Sequence, residues 1–271
     1  MKTPKQFEKL FYPTTKVDML TLLPEGYSVN ENKAWGIQVE TPTGPLIVNN
    51  VAKGYGMVNN SELLMPLYES LTKAFGELEI KVNCYRNAEF YVDMSIKEHK
   101  VSIQKGDIIN PRIRWHNSYN STIKHEVAFG ALRLVCTNGM TLPVWDNKIK
   151  FRHTVNMKVR SIAQTVEKMA EFVDKFDEYT QGYKILAASK VEDINARIEE
   201  VVEATKFPIR QIEEVKDKVR EEASLLGTGV NDWLIYNAFN FQLNHNSAIK
   251  TKDHKKEKTD QKILHYLLET I

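Results

Sequence analysis

Two cysteines, Cys84 and Cys136, in 271 residues are too few for a disulfide framework, and the expected compartment is a reducing cytoplasm. No apolar run approaches the roughly 18 residues that a membrane-spanning helix needs. The opening Met1-Lys2-Thr3-Pro4-Lys5-Gln6-Phe7 lacks the apolar stretch of a secretory signal, so no membrane partner is expected. Glycine (12) and proline (9) are sparse, which excludes collagen-like and low-complexity chains. Chemical fingerprints are also missing: there is no GxxxxGK[ST] phosphate loop, no HExxH and no paired CxxC. The expectation is therefore a protein that is not an enzyme, with no cofactor and no metal. What remains is 42% hydrophobic, 10% aromatic and 27% charged, the composition of a globular chain large enough for a real core.

The formal charge of +2 conceals a division along the chain. Residues 101–160 carry ten Lys and Arg against three acids, whereas 161–226 carry ten against fifteen. A third block, 250–262, has six lysines against three acids. Such segregation builds a basic face beside an acidic one and concentrates polyanions near the basic face. The competing reading is that the signs pair between neighbouring elements.

Hydrophobic periodicity divides the chain into a strand-rich half and a helical half, an α+β class with mainly antiparallel pairing, since the turns are too short for parallel crossovers. The regions are a strand-rich core over 1–153, long helices over 154–226, and C-terminal helices with a basic linker over 227–271. Period-two alternation on both sides of Arg86-Asn87-Ala88-Glu89 predicts a hairpin over 79–96. Further strands are expected at 27–39, 46–51, 101–103, 108–115 and 123–136, with Pro111 putting its strand at an edge or a bulge. One early helix is expected from Ser61 as N-cap through Leu63, Leu64, Leu67, Leu71 and Phe75 to Gly76. Val155, Val159, Ile162, Val166, Met169, Val173 and Phe176 alternate at steps of four and three, an a/d seam that either packs as core or joins subunits. Helices should follow near 191–201, 209–226 and 231–241, and a last one through Ile263, Leu264, Leu267 and Leu268 after a charged linker at 250–262.

Several local patterns read as structure. Gly54-Tyr55-Gly56 matches only the start of a dinucleotide fingerprint and suits a turn before a helix. His99, His116, His125 and His153 are scattered, and lone histidines are more often surface or packed residues than ligands. Asn138-Gly139, after the longest strand, reads as a tight turn closing a hairpin. Cys136, Arg152 and His153 form an enzymatic neighbourhood only if they converge on a pocket.

The more informative constellation is basic and aromatic. Arg112, Arg114, Trp115, Tyr119, Lys124, Arg133, Arg152 and His153 fall in the basic stretch, and Lys81 and Arg86 in the neighbouring hairpin. Binding of nucleic acid without sequence preference needs cations that follow phosphates and planar side chains on which bases stack. The arginines and Lys124 are the candidate phosphate contacts, and Trp115 and Tyr119 the candidate stacking platforms.

Four segments carry a family resemblance. Gly54-Tyr55-Gly56-Met57-Val58-Asn59-Asn60-Ser61-Glu62-Leu63, Arg133-Leu134-Val135-Cys136-Thr137-Asn138-Gly139-Met140, Arg152-His153-Thr154 and Asn231-Asp232-Trp233-Leu234-Ile235-Tyr236-Asn237-Ala238 occur in that order. They resemble the segments Y-x-V-V-x-N-x-E, R-V-V-C-x-N-x-L, R-H-T and W-x-x-Y-N-A of the phage/plasmid-like protein family, a domain of unknown function of phages and mobile elements. The family's H-D-G-S stretch is replaced here by His116-Asn117-Ser118-Tyr119-Asn120-Ser121. A strand-rich core followed by helices is similar in turn to the Rad-fifty-two-like single-strand annealing proteins. The resemblance implies a homo-oligomer in the host cytoplasm that binds single-stranded DNA and anneals it during recombination. The alternative is a structural or regulatory phage protein whose helical region docks a partner without nucleic acid.

Overall fold

The computed structural model describes residues 3–85, 88–134, 138–140, 148–152, 157–246, 249 and 253–271. In chain order the elements are β1 (Thr14–Asp18), β2 (Trp35–Thr41), β3 (Gly44–Val51), α1 (Asn60–Phe75), β4 (Leu78–Tyr85), β5 (Glu89–Ile96), β6 (Val101–Gln104), β7 (Asp107–Ser118), β8 (His125–Arg133), β9 (Asn138–Met140), β10 (Lys148–Phe151), α2 (Met157–Asp174), α3 (Phe176–Tyr179), α4 (Gln181–Ala188), α5 (Ile194–Thr205), α6 (Ile212–Leu226), α7 (Asp232–His245) and α8 (Asp253–Glu269). The chain is α+β with antiparallel sheets and most helices in its C-terminal half. It divides into two compact units that interleave in sequence: unit 1 is Met1–Glu98, Ile113–Ala128 and Lys148–Glu171, and unit 2 is His99–Arg112, Phe129–Asn147 and Phe172–Ile271.

In unit 1, β1, β2 and β3 form a three-stranded sheet in that order. A second sheet runs β10-β8-β7-β5-β4. The hairpin expected at 79–96 is β4 and β5, with Val82 opposite Val92 and Asn83 opposite Tyr91. Alternation along β5 and β7 sends Phe90, Val92, Met94, Ile96, Ile113 and Trp115 into the core. Helix α1 buries Leu63, Leu64, Leu67 and Leu71, at steps of one, three and four. Each leucine withdrawn from water contributes about 1.5–3 kcal/mol. Its N-cap is Asn59, two residues before the expected Ser61, and Glu62 Oε2 accepts the Asn59 amide at 3.2 Å. Gly76 ends the helix at φ 78°, a conformation that a Cβ disfavours. The strand expected from Tyr27 begins only at Trp35, and the strand β1 has too little alternation in Thr-Thr-Lys-Val-Asp to be read in advance.

Unit 2 is built around α7, which buries Asp232–Asn240, Gln242 and Leu243, so nearly every face of the helix is interior. Helices α4, α6 and α8 pack against it, and α5 packs against α6 and α8. Asn231 caps α7 by accepting the Leu234 amide at 3.0 Å. Arg197 clamps Asp232 with two bonds of 2.9 and 3.1 Å. Asn237 Nδ2 donates to the Trp233 carbonyl at 2.7 Å, so the Trp233–Ala238 motif is interior structure. Gly227 ends α6 at φ 60°.

Several expectations need correction. Strand β7 is not an edge, because β8 and β5 flank it in the strand order. Pro111 instead lies beyond Ile109, the last β7 residue that pairs with β6. Asn138-Gly139 is not the turn: Asn138 pairs with Arg133 and Gly139 with Leu132 inside the β8–β9 hairpin. The 250–262 linker is helical from Asp253 onward. On α2 the most buried line is Ser161, Thr165, Met169 and Phe172, with Ile162 and Val166 only half-buried. Met169, Val173 and Phe176 lie inside the chain's own core, whereas Val155 and the Val159 side chain fall outside the described residues. The interior hydroxyl of Thr165 is satisfied by donating to the Ser161 carbonyl at 2.6 Å.

Candidate nucleic-acid interface

The fold separates the sequence-predicted cations by burial. Arg133 is fully buried in unit 2 (0% exposed) and its guanidinium is saturated by acids. Its Nε donates to Asp107 Oδ1 at 2.8 Å, Nη2 to Asp107 Oδ2 at 2.5 Å and Nη1 to Glu222 Oε2 at 2.5 Å. Trp233 Nε1 also donates to Asp107 Oδ2 at 2.7 Å, and the guanidinium lies 5.6 Å from the Trp233 ring centre. Lys218 Nζ lies 3.7 Å from the other Glu222 oxygen and 3.1 Å from Glu221. Strand β8 and the acidic helix α6 thus pair their signs within unit 2, and Arg133 is an internal counterion, not a phosphate contact. Arg112 is likewise buried in unit 2, 6% exposed, which removes it from a solvent-facing groove. It adds positive charge near Tyr183, whose hydroxyl pKa is nonetheless raised, first by burial and then by the Asp260 carboxylate.

In unit 1, Arg114 is held by Asp93 through paired bonds of 2.7 and 2.9 Å. Trp115 is fully buried and meets His125 edge-on at 5.6 Å, and His125 stacks on Phe151 at 5.2 Å. Tyr119 is buried as well, with its hydroxyl accepting the Asn60 amide at 2.8 Å. Neither aromatic offers a face on which a base can stack, which corrects the expected platforms. Strands use the same aromatic residues for packing as for stacking, and here packing takes both.

Burial pushes the Tyr119 hydroxyl up to about 12, the Asn60 amide working against it, and burial raises Tyr55 to about 12 as well. A phenol that stays neutral in the fold while its unfolded counterpart ionises near 10 makes stability fall as pH rises from 10 towards 12. Tyr119 alone accounts for about 2–3 kcal/mol of that loss. Urea melts across this range should show it, and Tyr119→Phe should flatten the profile. At neutral pH the same substitution is expected to cost about 1–3 kcal/mol, because the buried Asn60 N–H loses its acceptor.

Lys81, Lys124 and Arg152 remain exposed, and none is in an ion pair with a described residue. Arg86 and His153 lie outside the described residues, as does Cys136, so the enzymatic neighbourhood is represented by Arg152 alone. Two of the exposed cations stand at the same end of one strand pair. In the β8–β10 pair, Lys148 is opposite Ala128, Lys150 opposite Glu126 and Phe151 opposite His125. Arg152 follows Phe151 and Lys124 precedes His125, so both stand just past the last paired residues. Side chains alternate between faces, so Lys148 and Lys150 share the face that carries Glu126, and Lys124 and Arg152 flank the end of the pair. Glu126 is 3.4 Å from Lys148 Nζ and 3.6 Å from Lys150 Nζ, with His116 Nδ1 at 3.9 Å. Lys148 and Lys150, on the outermost strand of the sheet, therefore share the Glu126 carboxylate of β8, and Lys150 is 59% exposed.

Lys148 and Lys150 belong to the basic stretch but not to the site residues expected from the sequence. The signal was present as Lys-Ile-Lys-Phe-Arg, a period-two strand with every outward position cationic. Only the register shows that Lys124 joins them. Repeats of two residues along a strand advance about 6.6 Å, comparable with one backbone repeat of an extended polynucleotide.

Among the described residues no His, Cys, Asp or Glu side chains are grouped as a metal site, and no helix is long and apolar enough to cross a membrane. His116 and His125 pack against Tyr91 and against Trp115 and Phe151. Comparison with curated proteins and with solved structures returns no match. The sequence profile described as Domain of unknown function (DUF932) matches residues 48–265, from β3 into α8, and the chain belongs to that family.

Proposed function

We propose that this chain binds single-stranded polynucleotide without sequence preference along the cationic edge of unit 1, and that it promotes annealing of complementary strands as an oligomeric phage or mobile-element protein in the host cytoplasm. The observation that carries the reading is the run Lys148, Lys150 and Arg152 along and just past an outermost strand, with Lys124 at the same end of the pair and Glu126 facing Lys148 and Lys150. Backbone phosphates would be neutralised by these side chains while the bases stay exposed for pairing. The likeness of the four quoted motifs to the phage/plasmid-like family, and of the strand-then-helix order to annealing proteins, supports the biological setting by analogy.

The test is fluorescence anisotropy with labelled oligothymidylate at a series of salt concentrations. Wild type should bind at low salt and weaken as salt rises. Lys124→Gln, Lys150→Gln and Arg152→Gln together should reduce the slope of log K against log salt by about 2, since each lost contact with a single strand is worth about 0.7. Failure of wild type to bind, with co-purification of a protein partner, would favour the interaction-protein alternative. An unchanged slope in the triple variant would remove these three residues from the interface.

A further inference from the structure

In the middle of helix α8 two acids turn inward and three lysines outward. Glu257 and Asp260 are buried with Ile263, Leu264 and Leu267, and Asp260 accepts the Tyr236 hydroxyl at 3.0 Å and the Asn240 amide at 2.8 Å. Lys255, Lys258 and Lys262 are exposed. Steps of three and four place them on one side of the helix over about 10.5 Å. A block that reads as mixed in the sequence therefore presents a row of cations to solvent.

The contrast with α6 is informative. There Lys216 is shared by Glu213 and Glu199, Lys218 by Glu221 and Glu222, and Arg220 faces Asp217. No described residue forms an ion pair with Lys255, Lys258 or Lys262. Three like charges in a row repel one another, so the arrangement is stabilised by an anion of matching repeat.

We propose that the Lys255–Lys258–Lys262 row is a second polynucleotide-backbone contact, in unit 2 and additional to the β10 edge. It rests on the reading that the chain binds polynucleotide. Thr259 and Gln261 beside the row supply no aromatic or aliphatic anchor of the kind a protein partner's hot spot needs, and Tyr266, one turn on, is half-buried with Arg197 5.9 Å from its ring centre. The apolar side of α8 is spent on the core, which leaves none to enter a lipid surface. A polyphosphate chain requires only cations at intervals, and that is what the face offers.

The full chain carrying Lys255→Gln, Lys258→Gln and Lys262→Gln is compared with wild type and with a control that removes the same charge elsewhere in unit 2, Lys105→Gln, Lys190→Gln and Lys206→Gln. Helix content and melting temperature establish that both variants fold. Against labelled oligothymidylate the α8 variant should lose about 2 in the salt slope and affinity on the order of tenfold, and the control should stay near wild type. Equal behaviour of the α8 variant and the control overturns the proposal while leaving the β10 reading intact. Absence of binding by wild type overturns both. If polyglutamate or phosphatidylserine vesicles compete as well as oligothymidylate at equal charge and salt, the row takes acidic protein or lipid and the polynucleotide assignment is wrong.

Discussion

Arg133→Ala is expected to lower unfolding free energy by about 3–5 kcal/mol, the typical cost of removing one partner from a buried ion network. Asp107 and Glu222 would remain in a dry interior, with only Trp233 Nε1 and Lys218 left to face them. Denaturant midpoints read the loss directly. Glu222→Gln should cost less, because Asp107 still holds the guanidinium through two atoms. The double variant should fall short of the sum of the singles, since both act on one network. A loss below about 1 kcal/mol for Arg133→Ala, the range of surface ion pairs, would mean that the side chain is solvated and available to phosphate after all. The companion expectation is that the salt slope of oligonucleotide binding does not change in any folded Arg133 variant.

Trp115→Ala is expected to cost a similar amount, about 3–5 kcal/mol, through lost burial and the cavity left beneath β8. Its ring sits in a layer with His125 and, through it, Phe151, so the β8–β10 pair that carries Lys150, with Lys124 and Arg152 at its end, is braced by this layer. Trp115→Phe preserves most of that layer and should leave oligonucleotide affinity unchanged. A tenfold loss of affinity in the phenylalanine variant, with the melting temperature retained, would return this residue to the binding surface.

Much of the architecture was legible because periodicity reports it directly. The β4–β5 hairpin, α1, α6 and the Asn231-capped α7 all stand where alternation, heptad spacing or a capping residue put them. Where the signal was weak, the errors have physical causes. Strand β1 is short and partly polar, and the lysine-rich start of α8 resembles a linker until Glu257 and Asp260 are seen turned inward. The candidate site was less legible than the fold. A sequence shows that Arg112, Arg114 and Arg133 are cations, but not that Asp93, Asp107 and Glu222 are waiting for two of them. Glu222 is 89 residues from Arg133, and no local pattern encodes that distance.

Sequence alone determined the α+β class, the positions of most elements and the uneven distribution of charge, because these depend on neighbours a few residues apart. The tertiary structure decided which charges are left over. Pairing across β8, α6 and β7 cancels some cations, and burial withdraws the aromatics. Register on β8 and β10, and the rotation of α8 about its axis, leave two rows of lysine and arginine facing water. Whether a cation can meet a phosphate depends on desolvation and on the nearest carboxylate, and both are set by contacts between residues far apart in the chain.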